Sequence, residues 1–200
     1  MIDSYIALDL ETTGLSPSED RILEIGAVKV KNGSICERYE TLVNPGMAIS
    51  PRIRELTGID DEMAATGKDT GTAVAELVDF CGELPLLGHN ILFDYSFVKR
   101  NAVNLGLAFE KDGVDTLKIA RALLPDLEHK NLPYLCAYYK ITQDRAHRAS
   151  DDACAAMELY RKLAEKFPDS PEELFAPKQL IYRTKKQGPI TAAQKGYLND

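Results

Sequence analysis

The sequence predicts an α/β domain built on a mixed central sheet with helices on both faces. Three observations carry this. The run at 4–10 is apolar on both parities, as in a strand covered on both sides. Asn32-Gly33 joins two strand-like runs, a strong hairpin signal. Beyond the hairpin, short apolar runs alternate with segments of helical periodicity, the pattern of layered α/β domains.

The elements follow in order. Residues 4–10, "SYIALDL", form the central strand, and 21–30 and 34–43 form the hairpin. Pro51 to Thr57 read as a short helix closed by Gly58, and 70–82 as a helix stopped by Gly82. "LPLLGHN" (84–90) is a short strand running into a turn. Residues 91–106 are helical, with Asn90 as N-cap and Gly106 as the stop. "GVDT" (113–116) ends a strand, with Asp115 as N-cap of the helix "LKIARALLP". "LPYLCAYYKI" is a further helical piece, and 149–167 is the last clear helix. No internal repeat or low-complexity tract is present.

Length and composition fit one soluble domain with an appendage: 200 residues, 44% hydrophobic and 28% charged. No run of eighteen apolar residues occurs, so no membrane span is expected. The opening residues lack a basic segment before an apolar core, so no secretory signal is expected. Cys36, Cys81, Cys136 and Cys154 are far apart, without a C-x-x-C pair, which argues against a disulfide framework or zinc site. A reducing, cytoplasmic location is the expectation. A net charge of −7 is unlike that of a generic basic nucleic-acid coat protein.

The acids are the informative part. On a strand, i and i+2 share a face, so Asp9 and Glu11 project together with Tyr5 and Ala7. Two like charges so close disfavour each other's ionisation, a conflict that a divalent cation removes. A solvated strand end is the plainer alternative. Asp94 falls in the first turn after Asn90, where it suits the helix dipole. It also heads the stripe Asp94, Phe97, Val98, Leu105, which points it toward the body of the domain. In "HRASDDA" (147–153), Asp152 aligns with Ala156, Leu159 and Leu163 on an inward stripe. Asp151 aligns with Ala155, Glu158 and Lys162 on a solvated face. His147, on the loop entering that helix, is a candidate proton acceptor. Four inward acids with one His suit two hard cations, Mg²⁺ or Mn²⁺, rather than zinc. Adding +4 to −7 would leave −3. Glu24 either borders this site or does not, and Asp115 reads more simply as a cap.

"DLETTGL", "GHNILFD" and "HRASDD" resemble, in order and spacing, the three motifs of the DEDDh, or DnaQ-like, 3′–5′ exonucleases. That group includes the epsilon proofreading subunit of bacterial DNA polymerase III and the exonuclease segment of the Gram-positive replicative polymerase. The resemblance covers about residues 1–167 and implies a ribonuclease H-like fold. It implies a tetrad of Asp9, Glu11, Asp94 and Asp152 holding two Mg²⁺ (or Mn²⁺), with Asp9 bridging them. It implies His147 as general base and a 5′-mononucleotide product. Thr12, Thr13, Gly14 and Leu15 would hold the terminal nucleotide, Leu15 as a wedge. Phe93 either lines that pocket or packs in the core. His89 either contacts the nucleotide or orients the turn. The direction of digestion rests on the resemblance alone.

Residues 168–200 differ in character. Ser170 and Pro171 open a short helix as N-cap and first position. Lys178, Arg183, Lys185 and Lys186 lie in a stretch without acids, read as a solvated linker or as a strip following a nucleic-acid backbone. "TAAQKGYLND" opens like a capped helix, and the natural chain is expected to continue or to be tethered to a further module. Three functions are weighed: an exonuclease on single-stranded or frayed DNA 3′ ends, of proofreading or repair type and serving a DNA polymerase or working alone; an RNA 3′-end trimming enzyme; and a retired exonuclease fold used for binding. The last fits poorly, because all five motif residues are present.

Overall fold

A computed structural model describes residues 1–142 and 148–187. Its centre is β1 (Tyr5–Thr12), whose hydrophobic residues from Tyr5 to Leu10 are 5% exposed or less, as the two-parity apolar run requires. β1 pairs antiparallel with β2 (Ile22–Lys31), and β2 with β3 (Ser34–Asn44). Asn32 (φ 49) and Gly33 (φ 75) both take the left-handed conformation that a tight hairpin turn needs. The chain then forms α1 (Pro51–Thr57), α2 (Asp61–Ala65), β4 (Lys68–Asp69) and α3 (Thr70–Cys81). It continues through β5 (Leu86–Gly88), α4 (Ile91–Leu105), β6 (Asp112–Asp115), α5 (Thr116–Leu123) and α6 (Leu132–Tyr139). α7 (Ala149–Lys166), α8 (Glu172–Phe175) and β7 (Lys178–Gln179) complete the described chain. The mixed sheet runs β4-β3-β2-β1-β5-β6-β7, with β5 parallel to both β1 and β6.

Strand alternation divides the core. Ile6, Leu8 and Leu10 pack with α3 and α4 through Leu77, Tyr95, Phe97 and Val98. Tyr5 and Ala7 pack with α5, α6 and α7 through Ile119, Leu135, Leu159 and Tyr160. Helices therefore cover both faces, as the sequence predicts.

Several local readings need correction. α2 and β4 fall in a region read only as connection; α2 is five residues long, too short to show a period. Asn90 sits at the N-cap position of α4 but makes no side-chain cap bond. Its backbone is left-handed (φ 68), and its N–H donates to Asp115 Oδ1 (2.9 Å). Leu105, assigned to the inward stripe with Asp94, is the last residue of α4 and is 44% exposed. Asp151 is half-buried and Ala155 is 2% exposed, so this flank of α7 is packed rather than solvated. Ser170 does not cap α8, whose N-cap is Pro171. The linker reading of 178–187 is overturned in part: Lys178 and Gln179 pair antiparallel with β6, and Leu180 is buried. The capped-helix reading of 191–200 falls outside the described residues.

Candidate active site

Asp9 and Glu11 lie at the C-terminal end of β1, opposite Gly26 and Glu24 of β2. Directly opposed residues share a face, and this is the face of Tyr5 and Ala7, under α7. Gly26 lets α7 come close: a Cβ there would lie 2.1 Å from Ser150 N and 2.2 Å from Ala149 C. The first turn of α7 therefore rests on β2 backbone beside Asp9. From that turn Asp152, 8% exposed, places a carboxylate oxygen in one group with oxygens of Asp9 and Glu11, all within 4.8 Å of one another.

Asp94 arrives from the other layer. It is 3% exposed in the first turn of α4, and its Oδ1 accepts the Leu10 N–H (2.9 Å), between the two β1 acids in sequence. The structure thus gathers Asp9, Glu11 and Asp152 at ligand spacing and seats Asp94 on the same strand end. His147 lies outside the described residues.

These carboxyls resist ionisation. Burial first, then the charges of Asp94, Asp152, Glu11 and Glu24, raises Asp9 well above the usual carboxylate range. Burial, then Asp152, Glu24 and Asp94, raises Glu11 to about 8. Burial raises Asp94 to about 8, against the lowering effect of the Leu10 N–H. Crowded oxygen donors that pay for their charge when unshared are the donor set a hard divalent cation relieves, and the residues fit such an ion.

Glu24 is 1% exposed, and its carboxylate is committed elsewhere. It takes Arg148 Nε (2.9 Å) and Nη2 (2.5 Å) on Oε1 and the Ala149 N–H on Oε2 (3.0 Å). Of its two readings, it borders the site through Arg148. Asp115 is the helix cap expected of it, accepting the Leu117 and Lys118 N–H groups. His89 holds the turn. Its Nε2 lies 2.8 Å from the Lys130 carbonyl, so Nε2 carries the proton, and Nδ1 lies 2.9 Å from Thr116 Oγ1. Burial lowers its pKa and keeps it neutral.

Beside the acids lies a cleft of about 430 Å³, room for one nucleotide. Thr12 to Leu15 and Phe93 line it, so Phe93 takes both of its readings, facing the cleft while packing on Phe97 (ring centroids 5.1 Å apart). Leu15 is 84% exposed. The threonine hydroxyls are used within the loop: Thr12 Oγ1 donates to Gly14 O (2.7 Å), and Thr13 Oγ1 accepts from Arg21 N (2.9 Å). Gly14 leaves room for its neighbour: a Cβ there would lie 2.4 Å from Asp20 Oδ1, and the carboxylate would have to shift. Asp20 in turn accepts the Ser16 N–H and ties the loop shut. Arg52, Ile53 and Leu56 of α1 also line the cleft and escape the sequence reading. No local pattern marks them: that Leu56 is left 51% exposed on this short helix shows only in the folded chain.

A model of the exonuclease family matches residues 6–160. The chain belongs to the exonuclease family. The DNA polymerase III PolC-type of Caldanaerobacter subterraneus is 39% identical over 165 residues, covering 82% of this chain and 12% of that protein. That of Clostridium perfringens is 36% identical over 159 residues, 80% and 11%. The chain thus spans about an eighth of the length of these relatives. E. coli exonuclease I in complex with a dT13 oligonucleotide superposes with a TM-score of 0.74 at 19% identity, over 84% of this chain and 42% of that one. The fold is therefore that of the ribonuclease H-like exonucleases, and the resemblance to the DnaQ-like 3′–5′ exonucleases is borne out at the level of family. Among the described residues, no helix is long and apolar enough to cross a membrane.

Proposed function

We propose that this exonuclease removes 5′-mononucleotides from the 3′ ends of single-stranded or frayed DNA by metal-dependent hydrolysis. The observation that carries the reading is the group of carboxylate oxygens from Asp9, Glu11 and Asp152, all within 4.8 Å, at the mouth of a nucleotide-sized cleft. Asp9, Glu11, Asp94 and Asp152 would hold two Mg²⁺ or Mn²⁺. Such ions, when bound, neutralise the scissile phosphodiester and acidify a water. A solved form of E. coli exonuclease I with single-stranded DNA carries a zinc ion, which supports a divalent site in this fold.

The chain's own residues supply the rest. The backbone of Thr12 to Leu15 and the ring of Phe93 receive the terminal nucleotide, and Leu15 separates it from the next base. His147, five residues before Asp152, takes the proton of the attacking water, a task suited to an imidazole near neutral pH. The PolC-type relatives and the exonuclease I–oligonucleotide complexes favour DNA as substrate and a replicative polymerase in the cytoplasm as the working context.

The test uses 5′-labelled single-stranded DNA and RNA of one sequence, with Mg²⁺ or EDTA. A stepwise ladder on DNA, lost in EDTA and in Asp9→Ala, and reduced at least a hundredfold in His147→Ala, is the expected result. Faster cleavage of RNA would reassign the substrate. No cleavage of either polymer with Mg²⁺ or Mn²⁺ would sink the enzyme.

A further inference from the structure

Asp152, grouped with Asp9 and Glu11, stands on the first turn of α7, and that turn lies against β2. Two features of β2 hold it, each opposite one of the β1 acids. Gly26, opposite Asp9, admits the α7 backbone by lacking a side chain. Glu24, opposite Glu11, grips Arg148 and the Ala149 N–H with both carboxylate oxygens. Glu24 is 1% exposed, and a buried carboxylate so fully bonded is fixed in place. Arg148 stands at the N-cap position of α7 yet makes no side-chain cap bond within the helix. Its side chain instead crosses to another element. It is also the residue next to His147 in the chain.

We propose that the Glu24–Arg148 ion pair is a positioning clamp that sets the α7 N-terminus, and with it Asp152, for the hydrolysis proposed above. The proposal rests on that reading of the site, and it assigns Glu24 and Arg148 no contact with substrate or cation. The planar guanidinium matters to it. A lysine offers a single point charge and could not reproduce the paired bonds to one carboxylate.

The experiment compares wild type with Arg148→Ala, Arg148→Lys, Glu24→Gln and the double variant Glu24→Ala/Arg148→Ala. All are checked for a folded state by circular dichroism at the assay temperature. Calorimetric titration of the metal-free proteins with Mn²⁺ gives a readout independent of catalysis. Arg148→Ala is expected to weaken Mn²⁺ binding at least threefold. It should also lower kcat on single-stranded DNA at least tenfold while KM stays within twofold. Arg148→Lys should recover little. Glu24→Gln, which keeps an acceptor for Ala149 N–H, should fall between wild type and Arg148→Ala. The double variant should resemble Arg148→Ala rather than multiply the losses.

Folded Arg148→Ala or Arg148→Lys protein that binds Mn²⁺ within twofold of wild type would overturn the clamp. So would tighter binding in Arg148→Ala, which would make Glu24 a ligand that Arg148 holds back. If wild type shows no nuclease activity, the functional reading fails while the Mn²⁺ titrations still decide the clamp. Should Arg148→Ala or the double variant not fold, Arg148→Lys and Glu24→Gln carry the same comparison.

Discussion

Asp94 places a titratable carboxyl where the fold disfavours its charge. Its carboxyl is buried, and backbone N–H groups, that of Leu10 first, compensate only part of the cost. It and Glu11 are pushed up to about 8, whereas an unfolded chain releases such protons near pH ~4. Between those values the folded, metal-free protein binds more protons than the unfolded one. Its stability therefore falls as pH rises from about 5 toward 8. The melting temperature in EDTA is expected to drop between pH 6 and pH 8.5, and Mg²⁺ to raise it more at the higher pH. Asp94→Asn keeps an oxygen for Leu10 N–H and removes the charge. In EDTA at pH 8.5 it should melt at least about 4 °C above wild type, taking 2–4 °C per ~1 kcal/mol for a domain of this size. A wild-type melting temperature that rises with pH in EDTA would refute this. The sequence shows Asp94 as inward-facing from its place on the helical stripe, but its bond to Leu10 N–H depends on how two layers meet, which no local pattern encodes.

At the scale of elements, the site is a contact between the end of β1 and the start of α7, with β2 as the seat. Periodicity is enough to choose Asp152 over Asp151, because neighbours on a helix diverge by about 100°. It is not enough to reveal the seat. Gly26 sits in a run that reads as ordinary strand, and its role appears only once α7 lies across it. Glu24 likewise finds its partner 124 residues away. The α1 side of the cleft was equally hidden, since Arg52, Ile53 and Leu56 meet the Thr12–Leu15 loop only in the folded chain. Gly26 yields a sharp expectation. A methyl group there would meet α7 backbone at 2.1 Å, where no side chain can rotate away. Gly26→Ala should therefore lift the first turn of α7, cost about 1–3 kcal/mol, and reduce nuclease activity at least a hundredfold. Gly33→Ala, at a solvent-facing turn with nothing within 4 Å of a new Cβ, is the contrasting variant. Its positive φ costs stability, but activity in the folded protein should stay within about twofold. Equal losses of activity in the two would remove α7 seating as the cause.

Across the whole molecule, the strand-and-helix order and the two-sided burial of β1 were legible because each follows from a local period. The C-terminal side was less so. Residues 172–187 look polar and basic, and their few apolar side chains show no period, yet those side chains close both halves of the core. Phe175 is 5% exposed on the α7 face, where its carbonyl accepts Tyr160 Oη (3.0 Å); the same hydroxyl accepts the Ile2 N–H. Leu180 is 7% exposed on the opposite face, over Gly113, and its N–H donates to Lys111 O (2.9 Å). The chain then runs along α4, where Arg100 Nη1 meets Thr184 Oγ1 (3.2 Å) and Gln187 N–H donates to Asn104 Oδ1 (3.0 Å). α4 is also the helix that carries Asp94. The folding unit therefore extends past residue 167. Burial of Phe175 and Leu180 is worth about 3–6 kcal/mol together, so a protein ending at Phe167 should melt about 6–24 °C below one ending at Gln187. Replacing Leu180 alone by Ala should cost about 2–4 kcal/mol and expose the Gly113 edge, readable as faster amide exchange in β6. If the two lengths melt together, 168–187 is the linker that its composition suggests, and the core closes without it.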